Sequence, residues 1–358
     1  MKKGPWRITF DTNPDDCNLH CIMCEEHSVY SLCQVNRKKE GRPRRRMDIQ
    51  LIRKILQEAQ GSPLKEIIPS TMGEPLLFKQ FEDVVDMCRE FNVKMNLTTN
   101  GTFPKYGATK WAEKIVPVGS DVKISWNGAT KETSEKIMVG SSFEKRLQNV
   151  KDFIAVRDRV ANEGGNFCRV TFQLTFMEIS LNELVDTIKL AASIGVNRIK
   201  GHHLWVFTQE MISQSLRKDA ISIKKWNKVA QEAIETAKNL RLPNGDPILL
   251  ENIYPLEESA IDELIVEGVC PFLGKEAWVS AEGRFNPCCA PDKDRKTLGD
   301  FGFMYDQSME NVFNSEKYQN LIHQYMHYPI CRKCNMRKKQ EDVDCQTQKM
   351  AGSQSSSK

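Results

Sequence analysis

From residue 5 to about 205, short apolar runs alternate with amphipathic helical stretches, and this alternation limits the folding options more than any other feature of the chain. Strands are expected at 7–11, 66–69, 94–98, 122–125, 170–176 and 198–203, with helical patterns at 51–59, 81–91, 143–161 and 181–194 between them. A parallel neighbour is reached only through a long connection, so strands separated by helices of this length pair through βαβ crossovers. An α/β fold follows. A further helix over 221–240 ends at the turn signal Pro243-Asn244-Gly245.

Around Cys270 the texture changes to short strands and turns at 277–286, then a helix over 309–325, then Cys331-Arg332-Lys333-Cys334. This stretch is too poor in apolar residues to hold a core by itself, and a metal staple would help it. The expected organisation is therefore 1–215, a helical connection 216–268, a small module 269–337, and a low-complexity, disordered tail 338–358.

The net charge of +4 is too small to call for a nucleic-acid partner. The first residues lack the apolar core of a signal peptide, and no stretch approaches a membrane span, so no membrane partner is expected. In the cytoplasm, the expected compartment, thiols stay reduced. Twelve cysteines there point to metal or redox chemistry before disulfides. Cys88 and Cys168 are expected to be core thiols; the others gather at the two ends of the chain.

Cys17-Asn18-Leu19-His20-Cys21-Ile22-Met23-Cys24 has the spacing C-x3-C-x2-C just past the first strand. Three thiolates on one tight loop can hold three irons of a [4Fe–4S] cluster and leave the fourth iron open. Zinc is the alternative, with His20 or His27 completing the site.

This triplet resembles that of the radical S-adenosylmethionine (SAM) superfamily. The resemblance implies a partial (β/α)6 TIM-like barrel whose cluster is held by Cys17, Cys21 and Cys24, with SAM chelating the open iron. Met23 stands where an aromatic residue is common, so a thioether would face the adenine. Thr71-Met72-Gly73-Glu74-Pro75 resembles the family's Gly-Glu-Pro motif, which meets the cofactor's ammonium through backbone groups. By the same resemblance Asn100, Ser125 and Glu178, at the ends of the third, fourth and fifth strands, face the ribose and methionine moieties.

Near the C-terminus, Cys270-x17-Cys288-x42-Cys331-x2-Cys334 resembles a twitch module, the shortened relative of the SPASM domain. Its β-hairpin and helix wrap an auxiliary [4Fe–4S] cluster. The spacing is similar to that of 2-deoxy-scyllo-inosamine dehydrogenase-type enzymes. A structural zinc ribbon is the alternative. Cys289 is left over as an alternative ligand, a hydrogen-atom donor or a buried thiol, and Cys345 falls in the tail.

The resemblance implies an enzyme that forms a 5′-deoxyadenosyl radical, takes its electron from a donor such as flavodoxin or ferredoxin, and abstracts hydrogen from a substrate in the barrel. His202 and His203 end the sixth strand and, being adjacent, face opposite sides, so at most one reaches the site. Glu178, Arg169, Arg198, Lys200 and Glu251 are further polar candidates. An imidazole in a polar pocket suits a sugar, aminocyclitol or nucleoside, with a histidine or carboxylate as proton acceptor. The basic run 37–46 is expected to be a solvated loop, or a site for a phosphorylated substrate or acidic peptide. Peptide-modifying relatives carry a leader-recognition domain, for which the sixteen residues before Cys17 leave no room. Modification of a ribosomal peptide, and a non-catalytic Fe–S or zinc protein, are the competing readings.

Overall fold

The computed structural model describes residues 2–70, 72–257, 268–334 and 336–337. The predicted tail 338–358, with Cys345, and Thr71 lie outside the described residues. In chain order the elements are β1 (Arg7–Phe10), α1 (Cys33–Lys39), α2 (Ile49–Glu58), β2 (Glu66–Ile68), α3 (Phe81–Glu90), β3 (Lys94–Thr99), α4 (Gly107–Ile115), β4 (Gly119–Ser125), α5 (Lys131–Ile137), α6 (Phe143–Asn162), β5 (Arg169–Phe176), α7 (Leu184–Ser193), β6 (Arg198–His203), α8 (Ala220–Asn239), β7 (Leu249–Glu251), β8 (Glu276–Val279), β9 (Phe285–Asn286), α9 (Asp292–Arg295), α10 (Met309–Asn314), α11 (Glu316–Gln324) and α12 (Pro329–Arg332).

The strands form one sheet in the order β7-β6-β5-β4-β3-β2-β1-β8-β9. Every pair is parallel except β8–β9. This is the expected α/β architecture, a partial barrel. Alternation along each strand sorts its side chains between two faces. Ile8, Phe10, Ile67, Met95, Leu97, Val122, Ile124, Val170, Phe172 and Ile199 are buried in the core under the helices. Their neighbours Arg7, Glu66, Asn96, Asp121, Thr171, Arg198 and Glu276 turn to the inner face.

That inner face is ionic at its lower end. Arg7 bonds Glu66 at 2.6 Å and Glu276 at 3.2 Å, Asn96 donates to Glu66, and Ser120 also reaches Glu66. Arg198 pairs with Asp121 and with Glu251 at 2.7 Å, while Lys200 meets Glu251 at 2.8 Å. Arg198, Lys200 and Glu251, candidates for substrate contact from sequence, are thus partnered here. Opposed charges satisfy one another where water is scarce, which keeps the floor polar yet closed.

Two sequence expectations change. The strand after Cys270 belongs to the barrel sheet: β8 pairs with β1 in parallel, Trp278 opposite Thr9. Its four residues are all buried, as an interior strand requires. The single helix expected over 309–325 is two. Ser315 has extended backbone, ends α10, and caps α11 by accepting from the Tyr318 N–H, so the helical path breaks there.

Candidate functional site

The triplet loop leaves the end of β1 and is fastened to the segment after β2. Asp16 C=O accepts from Glu74 N–H at 2.7 Å, and the Asn13 side chain donates to Glu74 C=O at 2.9 Å. Gly73 lies between them at φ +75°, and a Cβ there would sit 2.4 Å from Asn13 O and 2.7 Å from Asp16 O. Only glycine permits that approach. Further on, His20 N–H and Ile22 N–H donate to Val139 O and Ile137 O. His27 N–H donates to Cys24 Sγ at 3.4 Å, and the Asn100 side-chain amide approaches Cys17 Sγ at 4.0 Å.

Burial pushes the Cys17 thiol up to about 11 and Cys21 up to about 12, and raises Cys24 as well. Three such thiols become thiolates together only where positive metal replaces their protons. The soft, all-sulfur donor set fits an iron–sulfur cluster. Of the two neighbouring histidines, His20 Nδ1 meets His27 O at 3.1 Å and His27 Nε2 meets Pro14 O at 2.7 Å. Among the described residues, no three His, Cys, Asp or Glu groups converge closely enough for a single metal ion. Met23 packs beside Cys17, Cys21 and Ile22 against a small apolar cluster of Leu19, Ile137, Met138, Met177, Leu204 and Met211.

Beside the thiols lies a polar knot built on Glu74. Its carboxylate is fully buried and accepts from Thr99 Oγ1 and Asn100 N–H, each at 2.7 Å, and from Leu76 N–H. Burial outweighs these bonds and lifts it to about 7. Arg146, which acts on Glu74 through space, was not singled out from the sequence. This α6 side chain is buried, spans the strand ends by donating to Asn100 O at 2.9 Å and to Ser125 O, and lies 4.6 Å over the Trp126 ring. Burial lowers it to about 10. The signal was present, since Arg146 falls on the helix face that buries Val150, Phe153, Ile154 and Arg157.

The basic run is largely solvent-exposed, as expected, but several of its arginines are anchored. Arg45 grips Asp15 through side chain and backbone (2.6 Å each) and also reaches Glu26, Arg37 joins Asp15 at 3.3 Å, and Arg44 and Arg46 hold Asp16. Burial opposes ionisation of Asp15, yet the bonds from Arg45 bring it down to about 2. Four of the run's cations thus brace the residues immediately before Cys17.

Of the adjacent histidines, His202 faces inward. Gln173 lies 3.3 Å from its Nδ1 and Thr175 3.5 Å from its Nε2, and burial lowers it to about 4, so the ring is neutral. His203 faces outward, wedged between Phe176 and Trp226 of α8 at 5.4 and 4.8 Å, and is a packing residue rather than a catalytic one. Glu178 also departs from expectation. Lys225 at 2.7 Å and Lys218 at 3.1 Å take both its oxygens, and Lys225 first among them holds the carboxyl below its usual range. It ties the end of β5 to α8 and the turn before it.

In the C-terminal part, Cys270, Cys288, Cys331 and Cys334 line one solvent-open cleft of about 510 Å3, together with Cys289 and Trp205. Trp205 follows β6 by two residues, so this cleft adjoins the barrel mouth. Burial raises Cys288 and Cys331 to about 12. Arg337 also lines the cleft; its Nε donates to Gly268 O while the buried Nη1 has no partner. Cys289 is solvent-accessible within the same cleft, next to Cys288.

The family model of the Radical SAM superfamily matches residues 14–211. The chain belongs to the radical SAM superfamily. A second model, SPASM, an iron–sulfur cluster-binding domain, matches residues 270–335. The radical SAM domain binds a [4Fe–4S] cluster and SAM, and the SPASM domain binds auxiliary Fe–S clusters; the protein is a radical SAM enzyme. A curated relative, the "tungsten-containing aldehyde ferredoxin oxidoreductase cofactor-modifying protein" of Pyrococcus furiosus, is 23% identical over 92% of this chain and 88% of its own length. Among solved structures, anSMEcpe with bound AdoMet superposes with TM-score 0.64 at 15% identity, covering 96% of this chain and 91% of that one. Streptococcus suis SuiB bound to S-adenosylmethionine gives 0.63 at 14%, covering 93% and 72%. These two likenesses establish the fold. Among the described residues no helix is long and apolar enough to cross a membrane.

Proposed function

We propose that this radical SAM enzyme acts on a polar small molecule of sugar, aminocyclitol or nucleoside type, held in the barrel above the ionic floor. Cys17, Cys21 and Cys24 would hold the SAM-binding cluster; Met23, the Gly73-Glu74-Pro75 backbone, Asn100 and Ser125 would surround SAM. Cys270, Cys288, Cys331 and Cys334 would hold the auxiliary cluster. When bound, cluster and SAM supply a 5′-deoxyadenosyl radical that removes a hydrogen atom from the substrate.

The observation that carries the substrate class is Lys123. It lies on the inner face, opposite Thr98 on one side and Thr171 on the other. Among the described residues its ammonium has no hydrogen-bond or ion-pair partner, whereas the floor cations Arg7, Arg198 and Lys200 are all paired. Burial, then the nearby Lys200, lower it to about 8. Lys123 is half-buried, and its ammonium, with the Asp121 and Glu66 carboxylates acting on it only through space, is available to a ligand bearing oxygen functions. Neutral His202 stands on the same face further along the strands, beside Thr175, able to take a hydroxyl proton. A relative named as a cofactor-modifying protein is in keeping with a small-molecule substrate. A cytoplasmic setting, where thiols stay reduced, suits these sites.

Anaerobic reconstitution followed by iron and sulfide counting tests the assignment. About eight irons per chain are expected, with 5′-deoxyadenosine formed under reductant. Cys17→Ala should abolish that product while Cys334→Ala retains some of it; stoichiometric zinc with no nucleoside product would overturn the reading. Deuterium carried from a labelled polar metabolite into 5′-deoxyadenosine, and weakened by Lys123→Met, would support the substrate class. Transfer from a peptide instead would move the enzyme to peptide modification.

A further inference from the structure

We infer that the surface formed by Val29, Tyr30, Leu32 and α1 is the docking site of an acidic, one-electron carrier protein that reduces the N-terminal cluster. The inference rests on the assignment of that cluster to Cys17, Cys21 and Cys24.

The segment is unusual in two ways. Val29, Tyr30, Leu32 and Val35 are 53%, 43%, 64% and 46% exposed, a concentration of large apolar side chains within seven residues. Helix α1 buries none of its residues, so it contributes nothing to the core beneath it. Scattered exposed apolar residues need no explanation, but a contiguous group with a polar rim marks an interaction surface. The surface is also held firmly. Ser28 Oγ donates to Ile22 O at 2.8 Å, and Ser31 Oγ to Glu25 O at 2.5 Å, on either side of Cys24. With His27 N–H on Cys24 Sγ, the patch and the third thiol form one short, braced unit.

Charge decides the occupant. The arginines at 37, 44, 45 and 46 are spent on Asp15 and Asp16, but Lys38 and Lys39 in the last turn of α1 are exposed and, among the described residues, have no ion-pair partner. Two free ammonium groups beside four apolar side chains complement a protein with an acidic rim around an apolar centre, as reduced flavodoxin or ferredoxin presents. Opposite charge steers the encounter, and apolar contact holds the complex. In the step itself one electron leaves the carrier's reduced cofactor and enters the [4Fe–4S] group; no bond forms or breaks and no proton moves. The surface follows Cys24 directly in the chain and is tied to its neighbours Ile22 and Glu25 through Ser28 and Ser31.

Reconstituted holoenzyme is assayed anaerobically for 5′-deoxyadenosine formation, with either reduced flavodoxin or dithionite as electron source. Lys38→Glu/Lys39→Glu and, separately, Leu32→Asp/Val35→Asp should slow the flavodoxin-driven rate by roughly tenfold or more at low salt. Both should leave the dithionite-driven rate within twofold of wild type, and the charge-reversal variant should lose most of the salt dependence. Unchanged flavodoxin-driven rates in both variants would overturn the docking site. So would an equal loss with dithionite, which would make the segment a support of the cluster loop, or a wild-type dimer that Leu32→Asp/Val35→Asp dissociates. Absence of product with dithionite in the wild type would instead refute the cluster assignment itself.

Discussion

Replacing Asp15 by Asn should unfasten the stretch that leads into Cys17. Asp15 has its side chain fully covered and receives Arg45 twice through the guanidinium and once through the backbone, with Gln34 and Arg37 adding to the grip. Its carboxyl falls from the ordinary 3.8 to about 2 despite burial, a depression that corresponds to about 2 kcal/mol of preference for the ionised, folded state. Because the folded value is the lower one, this stability is complete above about pH 4 and is lost as pH falls through the folded value. Urea unfolding of the metal-free protein at pH 7 should therefore show Asp15→Asn destabilised by about 2 kcal/mol, with the gap to wild type closing as pH drops from 4 toward 2. In the loaded protein the variant should release iron faster to a chelator. Equal stability at pH 7, or a gap that does not change with pH, would refute the clamp.

Gly73→Ala must push backbone oxygens of Asn13 and Asp16 apart at a positive φ, so iron loading should fall well below wild type even where circular dichroism shows a folded protein. Arg146→Met leaves the Asn100 and Ser125 carbonyls without their donor, and about 2–4 kcal/mol of stability should be lost in urea titration. His203→Phe should retain 5′-deoxyadenosine formation with at most a modest drop in melting temperature, because the ring only fills space between Phe176 and Trp226. His202→Ala should leave SAM cleavage intact and reduce turnover of the substrate once that is in hand; equal effects of the two substitutions would contradict their opposite orientations.

The strands from β1 to β6 were legible because buried parallel strands and amphipathic helices write different periods, and the cysteine runs were legible because ligand spacing is local. What stayed hidden depends on contacts between distant segments. Nothing near Trp278 says that its strand lies beside Thr9, since pairing partners leave no local trace. The ion pairs that anchor the exposed run 37–46 show only once Asp15 and Asp16 are brought to its arginines. Arg146 looks like one more cation on a long helix until burial singles it out. His202 and His203 could be split by strand geometry, but which of them faced inward depended on where α8 packs.

The four-residue ladder between β1 and β8 acts as a splint. One of its members runs on into the sulfur-bearing loop at Cys17; the other starts six residues after Cys270 and stops nine before Cys288. Backbone pairing in the interior therefore ties the segment leading into Cys17 to the segment between Cys270 and Cys288. A change that breaks the ladder, at Thr9 or Trp278, would reach both cysteine-bearing segments at once.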